Sequence, residues 1–161
     1  MSNREFFASL LAGEKERTAR VLAAVPEGDL DWRPAPKSRT ARELVSHLIA
    51  HDQDLEELIA SGTCNHRLAV PFGSIGEAVG IFERANAAAV AATQRISDAD
   101  WTSPGKFVVN GQTIYELPRQ QLAWVLFLDA VHHRGQLSTY LRPMGGSVPG
   151  IYGPSADAGR G

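Results

Sequence analysis

The chain predicts an all-α fold, a four-helix bundle with a small β-hairpin before the last helix, and three observations predict it. Four stretches carry apolar residues at helical spacing. Three of them open on Ser or Thr with Glu three residues later, the reciprocal cap of a helix N-terminus. One short segment alone has paired strand character, and it is split by Asn110-Gly111.

The first helix opens at Ser2 with Glu5, and Phe6, Leu10, Val21, Leu22 and Val25 follow helical spacing until the Pro26-Glu27-Gly28 turn. Leu30 to Lys37 contains Trp32-Arg33-Pro34-Ala35-Pro36, an extended connector that two prolines keep from being helical throughout. Thr40 with Glu43 opens the second helix, expected over Ala41 to Ala60, with Leu44, His47, Leu48, His51, Leu55 and Leu58 on one face. Gly62 to Gly73 reads as a loop holding Cys64, His66 and Pro71. Ser74 with Glu77 opens the third helix, expected over Ile75 to Ile96, with a buried stripe of Ile75, Val79, Phe82, Ala89, Thr93 and Ile96. Its Ala-rich segment, Ala85 to Ala92, permits close approach of a neighbour. Lys106 to Val109 and Gln112 to Tyr115 flank Asn110-Gly111 as a hairpin with a type I′ turn. The fourth helix opens near Pro118, which suits a first-turn position, and runs to about Leu141, before Pro143. The connections between the first and second helices and between the third and fourth are long. The tail, about 145–161, is rich in Gly, Pro and Ser; a surface path with disordered last residues is expected.

One domain over 1–161 accommodates the chain length and a real core. Apolar residues are 43% and charged residues 21% of the chain, ordinary for a globular protein. A net charge of −2 gives no electrostatic footprint for nucleic acid. Every apolar region is interrupted by Arg, Glu or His, so no membrane span is expected. Met1 to Glu5 has no basic head followed by an apolar core, so no signal peptide is expected. The single cysteine, Cys64, excludes an internal disulfide and fits a cytoplasmic location. It reads as a half-buried loop residue; a catalytic cysteine would need a base, and His66 is the only one close in sequence.

Chemistry concentrates in Asp129-Ala130-Val131-His132-His133-Arg134-Gly135-Gln136. Asp129 and His133 are four apart, so they share a helix face about one turn apart. Their flanks are apolar, and a buried carboxylate and imidazole require partners, one of which is a transition metal. His47, mid-helix among leucines, is the candidate third ligand. Neutral imidazoles with a carboxylate suit zinc, nickel, iron or manganese, and three protein ligands leave positions open for water or substrate. The competing reading is a plain Asp–His hydrogen bond on a helix surface, with His47 a singly bonded core histidine. His51 forms a ligand-compatible pair with His47, but it lies nearer the helix end, before Asp52 and Asp54, and reads as a supporting or surface residue or a general base. His132 lies about 100° from His133 around the helix and reads as partner-facing. Gln136 reaches the same cavity; Arg134 points elsewhere, toward an ion pair or the tail. Trp32 and Arg33 read as pins for the first connector, and Tyr140 as a core residue.

Leu30-Asp31-Trp32-Arg33-Pro34, Glu43-Leu44-Val45-Ser46-His47-Leu48 and above all His133-Arg134-Gly135-Gln136-Leu137-Ser138-Thr139-Tyr140-Leu141-Arg142 resemble the DinB/YfiT-like family of metal-binding four-helix bundles. Ile151-Tyr152-Gly153-Pro154-Ser155 is similar to a tail found in one branch of it. The family pattern has one histidine on the second helix, matched by His47, and a histidine pair four apart on the last, of which His133 matches the second. Asp129 stands at the first of that pair, so the resemblance implies a two-histidine, one-carboxylate site with a harder oxygen donor. It also implies a homodimer, a divalent metal (zinc or nickel first, iron or manganese as alternatives) and, from some related proteins, a low-molecular-weight thiol as partner. The function expected is a metal-dependent hydrolase or thiol-dependent transferase. The alternatives are a non-catalytic metal-binding stress-response dimer and a purely structural bundle, which would hold no metal.

Overall fold

A computed structural model describes residues 1–157; the disorder expected for the last residues falls on 158–161, outside that range. Four long helices form the bundle: α1 (Asn3–Ala23), α2 (Ala41–Ser61), α3 (Ile75–Arg95) and α5 (Arg119–Tyr140). A one-turn helix, α4 (Asp98–Thr102), and three strands, β1 (Thr63–Asn65), β2 (Pro104–Val109) and β3 (Gln112–Pro118), lie outside it. Around the bundle α1 neighbours α3, α3 neighbours α2, α2 neighbours α5 and α5 neighbours α1. The two long connections therefore cross the bundle diagonally, which is why they are long.

The caps act locally as the sequence dictates. Ser2 and Glu5 bond each other's backbone N–H at 3.2 and 2.7 Å, and Thr40 and Glu43 do so at 3.1 and 2.7 Å. At α3 the exchange is one-sided. Ser74 Oγ accepts from Glu77 N, but the Glu77 carboxylate takes the N–H of Gly73, and Glu27 takes that of Ile75 at 2.6 Å. The turn after α1 is thereby tied to the start of α3. Each satisfied cap stabilises its helix by about 1 kcal/mol.

α2 is the central element. Leu44, His47, Leu48, His51, Leu55 and Leu58 are all buried as expected, and so are Val45, Ile49, Asp52, Asp54 and Ile59. Two apolar clusters pack along it: one joins Leu44, Leu48, Ile49, Phe82, Leu137 and Tyr140, the other Phe7, Leu55, Leu58, Trp101, Leu122 and Phe127.

Several expectations are corrected. α1 buries Phe7 and Leu11, whereas Phe6 is 48% exposed. The loop after α2 contains a strand: β1 pairs in parallel with β2, Cys64 opposite Phe107, and β2 continues into the expected hairpin with β3. Cys64 is fully buried in the second cluster, and burial pushes its thiol well above the usual range, so it is an inert core residue rather than a half-buried loop one. Pro118 ends β3 and caps α5 from outside instead of sitting in its first turn. Trp32 does pin the first connector, edge-on to Tyr140 at 5.2 Å, but Arg33 is exposed and reaches only the Pro36 carbonyl. The Asn110-Gly111 turn has positive φ at both residues, as a type I′ turn requires.

The described part of the tail, 145–157, runs over the surface, and a buried cation helps to tie it down. Arg134, 2% exposed, donates to the Glu14 carboxylate, to Thr18 Oγ1 at 3.2 Å and to the Tyr152 hydroxyl at 2.6 Å. This joins both expected roles of Arg134, ion pair and tail contact.

Candidate metal centre

Between the two apolar clusters, α2 and α5 face each other with polar side chains. His47 and His51 come from successive turns of α2, Asp129 and His133 from successive turns of α5. One donor atom from each lies within 4.8 Å of all the others. His47 Nε2 is 3.1 Å from His51 Nε2. Asp129 Oδ2 is 2.9 Å from His51 Nε2, 3.4 Å from His133 Nε2 and 3.7 Å from His47 Nε2. Donors held about 2.0–2.2 Å from one tetrahedral ion stand roughly 3.4 Å apart. The side chains are thus spaced as ligands of a single ion.

The electrostatics suit the same chemistry. Burial, then the positive ends of His51, Arg39 and His133, push the His47 pKa down to about 3, so its imidazole is in the neutral, ligating form at ordinary pH. Burial also lowers His133, against the opposing pull of Gln136 and Asp129. The hydrogen bond from His51, with the nearby imidazoles, holds the Asp129 carboxyl well below the usual carboxylate range. A carboxylate held ionised beside His47 and His133, whose charged forms are disfavoured, is a donor set for a cation.

The surrounding residues orient these donors. Gln136 Oε1 accepts from His133 Nδ1 at 2.9 Å, which fixes the tautomer that leaves Nε2 free toward the cluster. Gln136 Nε2 donates to the Tyr140 hydroxyl at 3.3 Å, which donates to the Arg39 carbonyl at 3.1 Å. Gln136 therefore supports His133 from behind, and Tyr140 is a core ring whose hydroxyl ends that chain. His132 is exposed at the rim of the pocket.

A pocket of about 620 Å³ opens onto the cluster. His47, His51 and Asp129 form its floor; Phe107, Tyr115, Leu122, Val125 and Leu128 give it apolar walls. His66 also lines it, with Nδ1 bonded to the buried Asp54 at 2.6 Å.

The structure brings together the three residues singled out from sequence, His47, Asp129 and His133. It adds His51, 4% exposed, which is among the donors and not at the surface. Asp52 and Asp54 in the sequence point to a solvated helix end, and the structure differs. Both are buried, Asp52 against Asn86 at 3.2 Å and Asp54 against His66 and Arg67. Asp54 and His66 were not foreseen as part of the site. The available signal was Asp54 itself, seven residues after His47 and so on the ligand face of α2.

Comparison with known proteins agrees with the architecture. A family model described as DinB family matches residues 1–159. The chain is similar to a DinB-like protein of Bacillus cereus (24% identity, TM-score 0.73) and to one of Bacillus subtilis (16% identity, TM-score 0.72), covering 92% of this chain and 97% of the other in both cases. It is more distantly similar to a mycothiol-dependent maleylpyruvate isomerase, at 14% identity and TM-score 0.51 over 89% of this chain and 61% of that one. No curated protein matches it.

Proposed function

The chain belongs to the DinB family, and on that footing we propose that it is a metal-dependent enzyme acting on small, largely apolar molecules. The observation that carries this reading is the convergence of three imidazole nitrogens and one carboxylate oxygen within 4.8 Å at the floor of an apolar pocket. His47, Asp129 and His133 would hold one divalent transition metal, with His51 as a fourth donor. Zinc or nickel suits this set first, iron or manganese next. When bound, the ion supplies Lewis acidity that lowers the pKa of water or of a thiol beside it. His51 bears on the choice: with four protein donors zinc would take a further ligand only by expanding to five-coordinate, whereas nickel, iron or manganese would accept further ligands with the same four.

The chain's own contribution is positioning and dryness. Gln136 aims His133, burial keeps His47 neutral, and the Phe107, Leu122 and Val125 walls exclude water from the substrate body. Hydrolysis is one reaction of this class. Thiol-dependent transfer is the second reading, favoured by the mycothiol dependence of one structural neighbour. A homodimer is proposed as well, on the exposed apolar strip of Ile114, Tyr115, Leu117, Val125 and Leu128. No helix of the described residues is long and apolar enough to cross a membrane; a cytoplasmic location is proposed, where the lone Cys64 thiol stays reduced.

The test is a screen of aryl and alkyl esters, with and without low-molecular-weight thiols, on metal-loaded protein. His47→Ala is expected to lower turnover at least about 100-fold, the scale of losing a stabilising group from an active site. Turnover that persists in metal-free protein or in His47→Ala contradicts the enzyme reading. Stoichiometric metal with no turnover across the screen favours the non-catalytic metal-binding dimer.

A further inference from the structure

Beside the ligand cluster the pocket holds a histidine outside the four-donor group. His66 is fixed on three sides. Its backbone N–H bonds the Val108 carbonyl at 2.8 Å, its ring lies 5.4 Å from that of Phe107, and its Nδ1 is 2.6 Å from Asp54 Oδ2. Asp54 is fully buried on α2, and its other oxygen accepts from Arg67 Nη1 at 2.7 Å and from the Arg67 backbone at 3.3 Å. A carboxylate only accepts, so Nδ1 carries a ring proton, and in the neutral imidazole Nε2 keeps its lone pair. His66 stands outside the four-donor group, whose atoms all lie within 4.8 Å of one another. Nε2 makes no hydrogen bond among the described residues, and the ring lines the same pocket as His47 and His51, 5.7 and 6.3 Å from theirs. A fixed acceptor in an apolar wall discriminates: a ligand that brings a donor satisfies it, and one that does not leaves it unpaired.

We propose that His66, held by Asp54, is a ligand-recognition residue whose Nε2 accepts a hydrogen bond from a molecule seated with its head at the His47–His51–Asp129–His133 cluster. The molecule's chemistry follows from the walls. It has a metal-binding head carrying an N–H or O–H, and an aryl or alkyl body that lies against Phe107, Tyr115, Val125 and Leu128. This rests on the metal-site reading above.

Benzohydroxamate has such a head and body, and its N-methyl analogue lacks the N–H. Both are titrated calorimetrically into zinc-loaded wild type and His66→Ala, with the fold of the variant checked by circular dichroism. The expected result is a loss of about 3- to 10-fold in benzohydroxamate affinity on substitution, and of less than about 2-fold for the N-methyl analogue, the difference being one hydrogen bond. His66→Gln, which keeps an acceptor, is expected to recover part of the loss. In wild type the 15N resonance of His66 Nε2 is expected to shift on adding benzohydroxamate, a readout independent of any variant. Equal losses for the two compounds, or an unshifted Nε2 resonance, overturn the role of His66. If wild type takes up no zinc, or binds benzohydroxamate equally with and without it, the metal-site reading falls and this inference with it. Zinc-dependent binding with equal losses overturns the inference alone.

Discussion

His51 and Asp52 are adjacent on α2, both buried, and they act in opposite senses. His51 places Nε2 2.9 Å from Asp129 and 3.1 Å from His47, inside the ligand geometry. Removing it leaves two histidines and one carboxylate, still a competent set. His51→Ala is therefore expected to retain one metal per chain with affinity about 10- to 100-fold weaker, measured by competition with a chelator. Unchanged affinity would place His51 outside the coordination. Asp52 has no cation beside it, and burial pushes its pKa up to about 7, against the weaker opposing bond from Asn86. The sign follows from the proton count. Between the unfolded value of about 4 and the folded value of about 7, the folded chain holds a proton that the unfolded chain has released, so this group's contribution to stability falls as pH rises through that window. His47 has the opposite sign: its pKa is depressed to about 3, so its contribution to metal-free stability rises with pH from about 3 to 6.5. The two offset each other in wild type. Asp52→Asn removes one of them, and the metal-free variant is expected to gain stability relative to wild type between pH 5 and pH 8, by about 3 kcal/mol at most. Urea unfolding at the two pH values measures it, and a wild-type-to-variant difference that is the same at both contradicts the assignment.

At the scale of elements, α5 carries the site on one side and anchors the tail on another. Its Asp129 and His133 face α2, while Arg134, next to His133 but about 100° around the helix, reaches Glu14 on α1 and Tyr152 in the tail. Tyr152 also donates to Glu14 at 2.8 Å. Tyr152, 68% exposed, is the outer end of this network; Tyr152→Phe removes its hydroxyl and is expected to cost about 0.5–1 kcal/mol and to speed proteolysis within residues 145–157. Tail cleavage at the wild-type rate would show that other contacts hold it, such as Arg17 Nε to the Ile151 carbonyl and Arg142 to Asp157. Element boundaries were largely legible, because capping residues and helical spacing act within a few residues of each other. β1 was not: three residues have no readable period, and they become a strand only by pairing with β2 some forty residues later. The register of α1 was also ambiguous, since Phe6 and Phe7 are adjacent and packing against Trp101, Trp124 and Phe127 selects Phe7.

At the scale of the molecule, two apolar clusters along α2 leave a polar level between them, and the His47–His51–Asp129–His133 cluster occupies that level. His47, Asp129 and His133 could be read from sequence because each sits at helical spacing within an apolar face. Asp54 and His66 could not, because their meeting depends on where the loop after α2 returns, and that is set by β1 pairing with β2. His47 and His51 are buried, with Asp129 and His133 half-buried beside them; buried polar groups are costly without partners, and one cation would satisfy all four donors. Metal analysis of purified, dialysed protein tests this most directly. One divalent transition metal per chain in wild type, lost from His133→Ala while that variant stays folded, is the predicted result. A wild-type chain that takes up no metal, or a His133→Ala chain that keeps a full equivalent, would contradict it.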